Sequence, residues 1–339
     1  MKAVVFKEIG RYALEDRPVP AIEKEDDVRF KILAASICGT DVHILSDPPG
    51  VPANPGIILG HECVGEVTDT GKNVHGLKPG DHIILDNNIT CGVCPACRNG
   101  ESNMCMNMKS MGVHCDGVFA EFAVAPEKAV VKIPKEISVN KAIFAEPMNC
   151  VMGAIKKLKI MPGMTCLVLG GGSIGLYFTV LLKLCGAGKV LVSEVSEYRS
   201  KWALMNGADR VINPTRENLE KEVRNETDGI GADIVVDAVG SLLAASVQCV
   251  RSAGQILLFG LNANATSNIR QYDITQKGIT VYGNFIGLNT MTTVADVLRN
   301  DQTDFTNMIT HELPLERFGE GLEAMRDGTA LEVVLYPQM

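Results

Sequence analysis

Hydrophobic and polar positions change their rhythm about halfway along the chain. From Thr165 on, short apolar runs at 166–169, 189–193, 210–212, 234–237 and 255–259 alternate with stretches at helical spacing, 174–185, 197–206, 218–227 and 241–250. Strands alternating with helices of about 10–15 residues predict βαβ units and a parallel sheet. The earlier residues read differently. Short β-like runs at 2–6, 28–34, 65–68, 82–85 and 119–125 are separated by turns, and eleven of the fifteen prolines fall before residue 148. That texture predicts an irregular, mostly antiparallel β domain. Past Gly287 a helix at 291–299 and a tail closing on 331–336 remain. The pattern shows no internal repeat and no low-complexity linker.

Length and charge narrow the classes. At 339 residues the chain fits two domains of roughly 100–200 residues each. Lys and Arg number 32 against 40 Asp and Glu, a formal net charge of −8. A general nucleic-acid or anionic-membrane surface needs basic excess, so neither partner is expected. No apolar run approaches the ~18 residues of a membrane span. Lys2, Lys7 and Glu8 interrupt any signal-peptide core, so a cytoplasmic location is expected. The eleven cysteines are odd in number and lack an export context, which argues against a disulfide framework.

Four of those cysteines form a cluster. Cys91, Cys94, Cys97 and Cys105 follow the spacing C-x2-C-x2-C-x7-C. Four-coordinate zinc takes four soft donors at about 2.3 Å, and short spacings with Gly92, Pro95 and Gly100 let a loop wrap around it. An iron–sulfur cluster is a rival for similar spacing. Free surface thiols are the bland reading, disfavoured because four in one loop would invite oxidation. With every position filled by cysteine, no site is left open, and a structural zinc is expected. Met104, Met106, Met108 and Met111 nearby read as loop packing rather than as soft-metal ligands.

A second donor set is dispersed. Cys38 opens Cys38-Gly39-Thr40-Asp41-Val42-His43, and His61 and Glu62 follow Gly60. Cys, His and carboxylate are the ligands of catalytic zinc, which keeps one position for water or substrate. Each pair alone is more often structural. Glu146, where the two textures meet, needs a partner if buried; zinc and a salt bridge are both open.

The run at 166–169 is followed by Gly170-Gly171-Gly172-Ser173-Ile174-Gly175, a G-x-G-x-x-G between strand and helix patterns. Gly170 makes the tight turn, Gly172 admits the pyrophosphate, and Gly175 lets helix and strand approach. The helix start favours the anion. Glu194 ends the next strand, 19 residues after Gly175, where a carboxylate binds ribose hydroxyls and repels a 2′-phosphate. NAD is expected over NADP, with Arg199 able to soften the preference or cover the adenine.

These motifs, with Gly60-His61-Glu62-Cys63-Val64-Gly65-Glu66-Val67, Gly80-Asp81, Gly117-Val118-Phe119-Ala120-Glu121-Phe122 and Glu146-Pro147, resemble the zinc-dependent medium-chain dehydrogenase/reductase family over essentially the full length. The closest branch in likeness is the polyol (sorbitol or L-iditol dehydrogenase-like) group, which also resembles threonine and galactitol-phosphate dehydrogenases. The resemblance implies an α/β fold: a mostly β, GroES-like catalytic domain plus a Rossmann doubly wound parallel sheet. The expected domains are 1–148 with a zinc lobe at 88–108, 149–287 binding NAD, and 288–339 returning to the catalytic domain. It implies Cys38, His61 and Glu62 as catalytic zinc ligands and Glu146 as a carboxylate on the zinc or its water. Thr40 and His43 match the relay that passes the alcohol proton to solvent. The expected cofactor set comprises Gly170, Gly172, Ser173, Ile174, Gly175, Glu194, Arg199, Val239, Gly260 and Phe285.

Together these expectations describe an NAD-dependent, two-zinc dehydrogenase of secondary alcohols or polyols, assembled as a homodimer or homotetramer. Family sorbitol dehydrogenases carry an arginine after the Phe of a Gly-x-Phe-Arg segment; here Ile286 follows Phe285. Another polyol, a hydroxy acid, an amino-alcohol or an apolar secondary alcohol are therefore alternatives. His114, Cys115, Ile44, Leu45 and Leu288 could line the pocket or simply pack. A zinc-independent quinone or enoyl reductase would lack the metal residues. A non-catalytic, NAD-sensing or structural protein would not need an open second metal site.

Overall fold

Runs such as Thr165–Leu169 and Lys189–Ser193 are buried at all but their first residue. Strands read this way when both faces of a parallel sheet are covered. The computed structural model describes residues 1–300 and 303–339, which divide into two units: Met1–Asn149 with Leu288–Met339, and Cys150–Gly287.

In Cys150–Gly287, six strands form one sheet: β1 (Thr165–Leu169), β2 (Lys189–Ser193), β3 (Arg210–Ile212), β4 (Ala232–Asp237), β5 (Val250–Leu258) and β6 (Thr280–Gly283). Their spatial order is β3-β2-β1-β4-β5-β6, and every neighbouring pair is parallel. This is the doubly wound order that reverses between β1 and β4, where such sheets bind nucleotides beyond their carboxyl ends. Helices Ser173–Leu184, Glu197–Met205, Leu219–Asn225 and Leu243–Cys249 follow β1 to β4. Leu167, Leu169, Leu191, Ile212, Val235 and Ile256 are fully buried in its core; truncating one such leucine to alanine costs roughly 2–5 kcal/mol. The sequence pattern passes over β6 because three of its four residues are exposed.

In the other unit the strand Asp27–Ser36 is the hub. It pairs antiparallel with Glu62–Thr70, Phe122–Pro126 and Glu332–Tyr336. Glu62–Thr70 continues to His82–Leu85 and Val130–Ile133, also antiparallel, while Ile309–Pro314 joins Glu332–Tyr336 in parallel. Both parts of the chain thus share one sheet and one core, which includes Phe30, Ile32, Phe119, Phe318 and Val333. The run at 119–125 begins as a strand only at Phe122. Phe119 is instead turned into the core, where a Cβ on Gly60 would stand 2.4 Å from its ring. Past Gly287, besides the helix Met291–Leu298, the chain adds Ile309–Pro314 and the helix Phe318–Arg326, which the periodicity reading omits. Among the described residues, no helix is long and apolar enough to cross a membrane.

Candidate active site

Ser36 and Glu62 stand opposite each other in the antiparallel register, so two strand ends meet beside Cys38 and His61. One ligand atom each from Cys38, His61 and Glu62 lies within 4.8 Å of the others. His61 and Glu62 are 4% and 3% exposed. The Ser36 hydroxyl donates to Glu62 Oε2. Asp41 Oδ2 accepts the Cys38 backbone N–H at 2.9 Å. Its other oxygen stands 3.8 Å from His61 Nδ1, and neither of those buried atoms has a hydrogen-bond partner.

The electrostatics of this cluster call for a cation. Burial pushes the Cys38 thiol well above its ordinary range, and the carboxylates of Glu62, Asp41 and Glu146 push it further. Burial likewise raises Glu62 and Asp41. His61 is lowered by burial but raised more by Asp41, Glu62 and Glu146, with a net rise. A divalent ion reverses this logic, because it binds thiolate, neutral imidazole and carboxylate together. Sulfur, nitrogen and oxygen donors, converging and buried, fit zinc with a position left for an exchangeable ligand.

The remaining expected residues are placed differently. Glu146 lies in the first turn of the helix Ala145–Ile155 and is 8% exposed. Its charge acts on Cys38 and His61, but it is not one of the three converging donors. Thr40 and His43 sit three residues apart on the short helix Gly39–Ile44, hence on one face. Thr40 Oγ1 is 3.7 Å from Cys38 Sγ. His43 is exposed, and Gly50 lies so near that a Cβ there would stand 3.1 Å from His43 Nδ1. Ile44 and Leu45 are core residues. His114 is exposed, and its Nδ1 accepts the Ser110 N–H.

The four cysteines of the lobe come together. Their sulfurs all lie within 4.8 Å of one another, and Cys94 Sγ is 3.9 Å from Cys105 Sγ. A tetrahedron of zinc–sulfur bonds has an edge of about 3.8 Å; a disulfide would need about 2.05 Å. The spacing suits one ion. Cys91 Sγ accepts N–H donors from Cys94 at 3.4 Å and Asn107 at 3.6 Å. Hydrogen bonds from the Val93 backbone first, then Asn107 and Cys94, hold the Cys91 thiol down to about 6. Burial pushes Cys97 up to about 12. Loop packing describes Met111, which is buried, but Met104 and Met106 are 49% and 77% exposed. None of the eleven cysteines is in a disulfide.

The glycine turn has its own geometry. Gly170 has φ +98°, which only glycine adopts without strain. A Cβ on Gly175 would strike Gly170 O at 1.9 Å, whereas one on Gly172 would meet nothing within 4 Å. Gly172 precedes the helix Ser173–Leu184, and no side chain caps that end. The next helix, by contrast, is capped by Ser196. The start of an α-helix is the end at which backbone N–H groups and the helix dipole favour an anion. Glu194 is 5% exposed; its Oε2 accepts the Gly171 N–H at 2.7 Å and its Oε1 the Ser196 N–H at 2.8 Å. Arg199 is half-buried in the first turn of the helix Glu197–Met205. Val239 and Phe285 are exposed at 47% and 40%, and Gly260 abuts Gly240. Ile286 has φ +46°, unusual for a β-branched residue.

Sequence reasoning missed Ser36, Asp41 and Asp237. The first is visible only through strand register and the second through its contacts. The third is a buried carboxylate whose oxygens accept three backbone N–H groups.

The alcohol dehydrogenase GroES-like domain family matches residues 24–135, and the zinc-binding dehydrogenase family matches residues 173–300. L-threonine 3-dehydrogenase from Pyrococcus furiosus is 38% identical, with 91% of this chain and 90% of that protein covered. Among solved structures, the alcohol dehydrogenase TADH from Thermus sp. ATN1 superposes with a TM-score of 0.93 at 29% identity, covering 99% of both chains. A short chain alcohol dehydrogenase from Escherichia coli CFT073, complexed with cofactor NADH, superposes with a TM-score of 0.92 at 27% identity, again covering 99% of both. Family matches and full-length likeness agree with the donor sets: the chain belongs to the zinc-dependent medium-chain dehydrogenase/reductase family and is an oxidoreductase of the alcohol dehydrogenase kind.

Proposed function

We propose that this protein oxidises a small secondary alcohol to its ketone, with NAD taking the hydride and solvent the proton. The observation that carries the reading is the convergence of buried Cys38, His61 and Glu62, a donor set that leaves a metal open to substrate. Bound zinc would supply Lewis acidity to the substrate oxygen, and bound NAD the hydride acceptor.

The chain's own residues do the rest. Cys38, His61 and Glu62 hold the catalytic zinc, with Glu146 a nearby carboxylate able to exchange with water. Thr40, beside Cys38, and His43, at the surface, lead the alcohol proton outward. Cys91, Cys94, Cys97 and Cys105 hold a structural zinc. The turn at Gly170, Gly172 and Gly175, with Ser173 and Ile174, receives the pyrophosphate. Glu194 takes the ribose hydroxyls and disfavours a 2′-phosphate, and Arg199, Val239, Gly260 and Phe285 complete the cofactor set. In this reading Cys150–Gly287 is the NAD-binding domain and the rest is catalytic. Eleven cysteines without a disulfide suit a cytoplasmic location, and the family likeness suits a homodimer or homotetramer.

For the substrate, a 2-amino-3-hydroxy acid of the L-threonine kind comes first, because relatives covering most of the chain carry that name. A polyol comes second, supported by the motif resemblance but opposed by Ile286 in place of a cation. An NADH-formation panel of L-threonine, polyols, sugar phosphates, hydroxy acids and apolar secondary alcohols decides between them. Turnover of one secondary-alcohol class is expected. A zinc-loaded protein inert to all of them overturns the proposal.

A further inference from the structure

β4 ends on Asp237, which pairs in register with Leu169 of β1, the last residue before the glycine turn. Its side chain is 1% exposed. Oδ1 accepts the backbone N–H of Val239 at 3.0 Å and of Gly240 at 2.8 Å, and Oδ2 accepts that of Leu242 at 2.7 Å. Its main-chain carbonyl accepts the N–H of Phe259 and of Gly260, each at 3.0 Å. One residue therefore fastens the turn after β4 with its side chain and the turn after β5 with its backbone.

These turns touch each other and the glycine turn. Gly240 has φ +89°, and a Cβ on it would stand 2.4 Å from Gly260 O. A Cβ on Gly170 would stand 2.7 Å from Val239 Cγ2. Three loops at the carboxyl ends of β1, β4 and β5 thus close on one another, at the edge where doubly wound sheets bind nucleotides. Burial does not hold the middle loop, since Val239 is 47% exposed and Leu242 is only half-buried. Leu242 also precedes the helix Leu243–Cys249, which has no side-chain cap of its own. Three N–H groups converging on a desolvated carboxylate are what fix this backbone, as charge-assisted bonds are about twice as strong as neutral ones.

We infer that Asp237 is a positioning residue for the cofactor: it touches no ligand itself but sets the Val239–Leu242 backbone against the glycine turn. The inference rests on the nucleotide-binding reading of this unit.

Asp237→Asn tests it while keeping the shape. The carboxamide has one acceptor oxygen, so whichever way it turns, N–H groups on its other side lose their partner. The expected result is a rise of about tenfold in the Kd for NADH by fluorescence titration. Faster hydrogen–deuterium exchange across 238–242 is expected with it, and cooperative melting and zinc content like the wild type. An NADH Kd within twofold of wild type overturns the inference. Loss of cooperative melting overturns it too, because Asp237 would then hold the fold rather than a loop. Wild-type protein that binds no NADH overturns both this inference and the reading beneath it, and that control tells the two failures apart.

Discussion

The carboxylate of Glu194 accepts the backbone N–H of Gly171 at 2.7 Å. The group expected to select the ribose therefore also braces the turn expected to hold the pyrophosphate. With Glu194 in that proposed role, selection and affinity would be coupled through one side chain, which is buried and takes a second N–H from Ser196.

Glu194→Ala should accordingly do two things. The NAD/NADP preference ratio should fall, because the charge that repels a 2′-phosphate is gone. Affinity for both cofactors should fall roughly tenfold or more, since a hydrogen bond to a charged acceptor contributes about 1.5–3 kcal/mol. Paired Kd measurements for NADH and NADPH check this, and an unchanged ratio rejects the selective role.

Cys38→Ser should abolish turnover while leaving the NADH Kd within about twofold of wild type. Cys38 belongs to the unit other than the one carrying the glycine turn. A comparable loss of NADH binding would mean that Cys38 supports the fold and is not specifically a ligand.

Cys97→Ser should act on stability first. Removing one sulfur from a closed four-sulfur site destabilises the lobe, because binding free energy at such a site is folding free energy. A lower melting temperature is expected, with kcat per remaining catalytic zinc close to wild type. Normal melting with depressed kcat would exchange the roles of the two sites.

In the parallel-sheet unit, Arg210 reaches Glu217 at 2.9 Å, Glu222 at 2.7 Å and Glu226 at 2.9 Å, and Lys189 reaches Glu226 at 2.9 Å. Hydrogen bonds from Arg210 lower Glu222, and those from Lys189 and Arg210 lower Glu226. A carboxylate lowered in the fold stabilises above its unfolded value of about 4.3 and loses that contribution as pH falls through the folded value. Arg210→Met should lower the melting temperature at pH 7 by roughly 1–3 °C, given partial exposure. The gap should close as the pH falls below about 4. A gap equally wide in acid would assign the effect to packing of the Arg210 stem.

What the chain reveals before folding follows its physics. β1 and β2 are legible because both faces are buried along nearly their whole length and their apolar runs are uninterrupted, whereas β6 is exposed and carries no such run. The four cysteines are legible because their spacing is local. Cys38 and His61 lie 23 positions apart and are brought together by the pairing of Asp27–Ser36 with Glu62–Thr70. Ser36 and Asp237 carry no motif at all. Their roles come from strand register and from the backbone N–H groups around them, which a linear pattern does not encode. Ile286 shows the converse, since its departure from the family segment is plain in sequence while its left-handed backbone is not.

Zinc stoichiometry measured together with activity, before and after brief chelation, tests the two-site arrangement most directly. Two zincs per chain are expected; the one held by Cys38, His61 and Glu62 should leave first, taking alcohol oxidation with it, and activity should return when zinc is restored. The second should stay until the lobe of Cys91, Cys94, Cys97 and Cys105 unfolds. A single zinc per chain, or full alcohol oxidation after the first zinc has left, would contradict it.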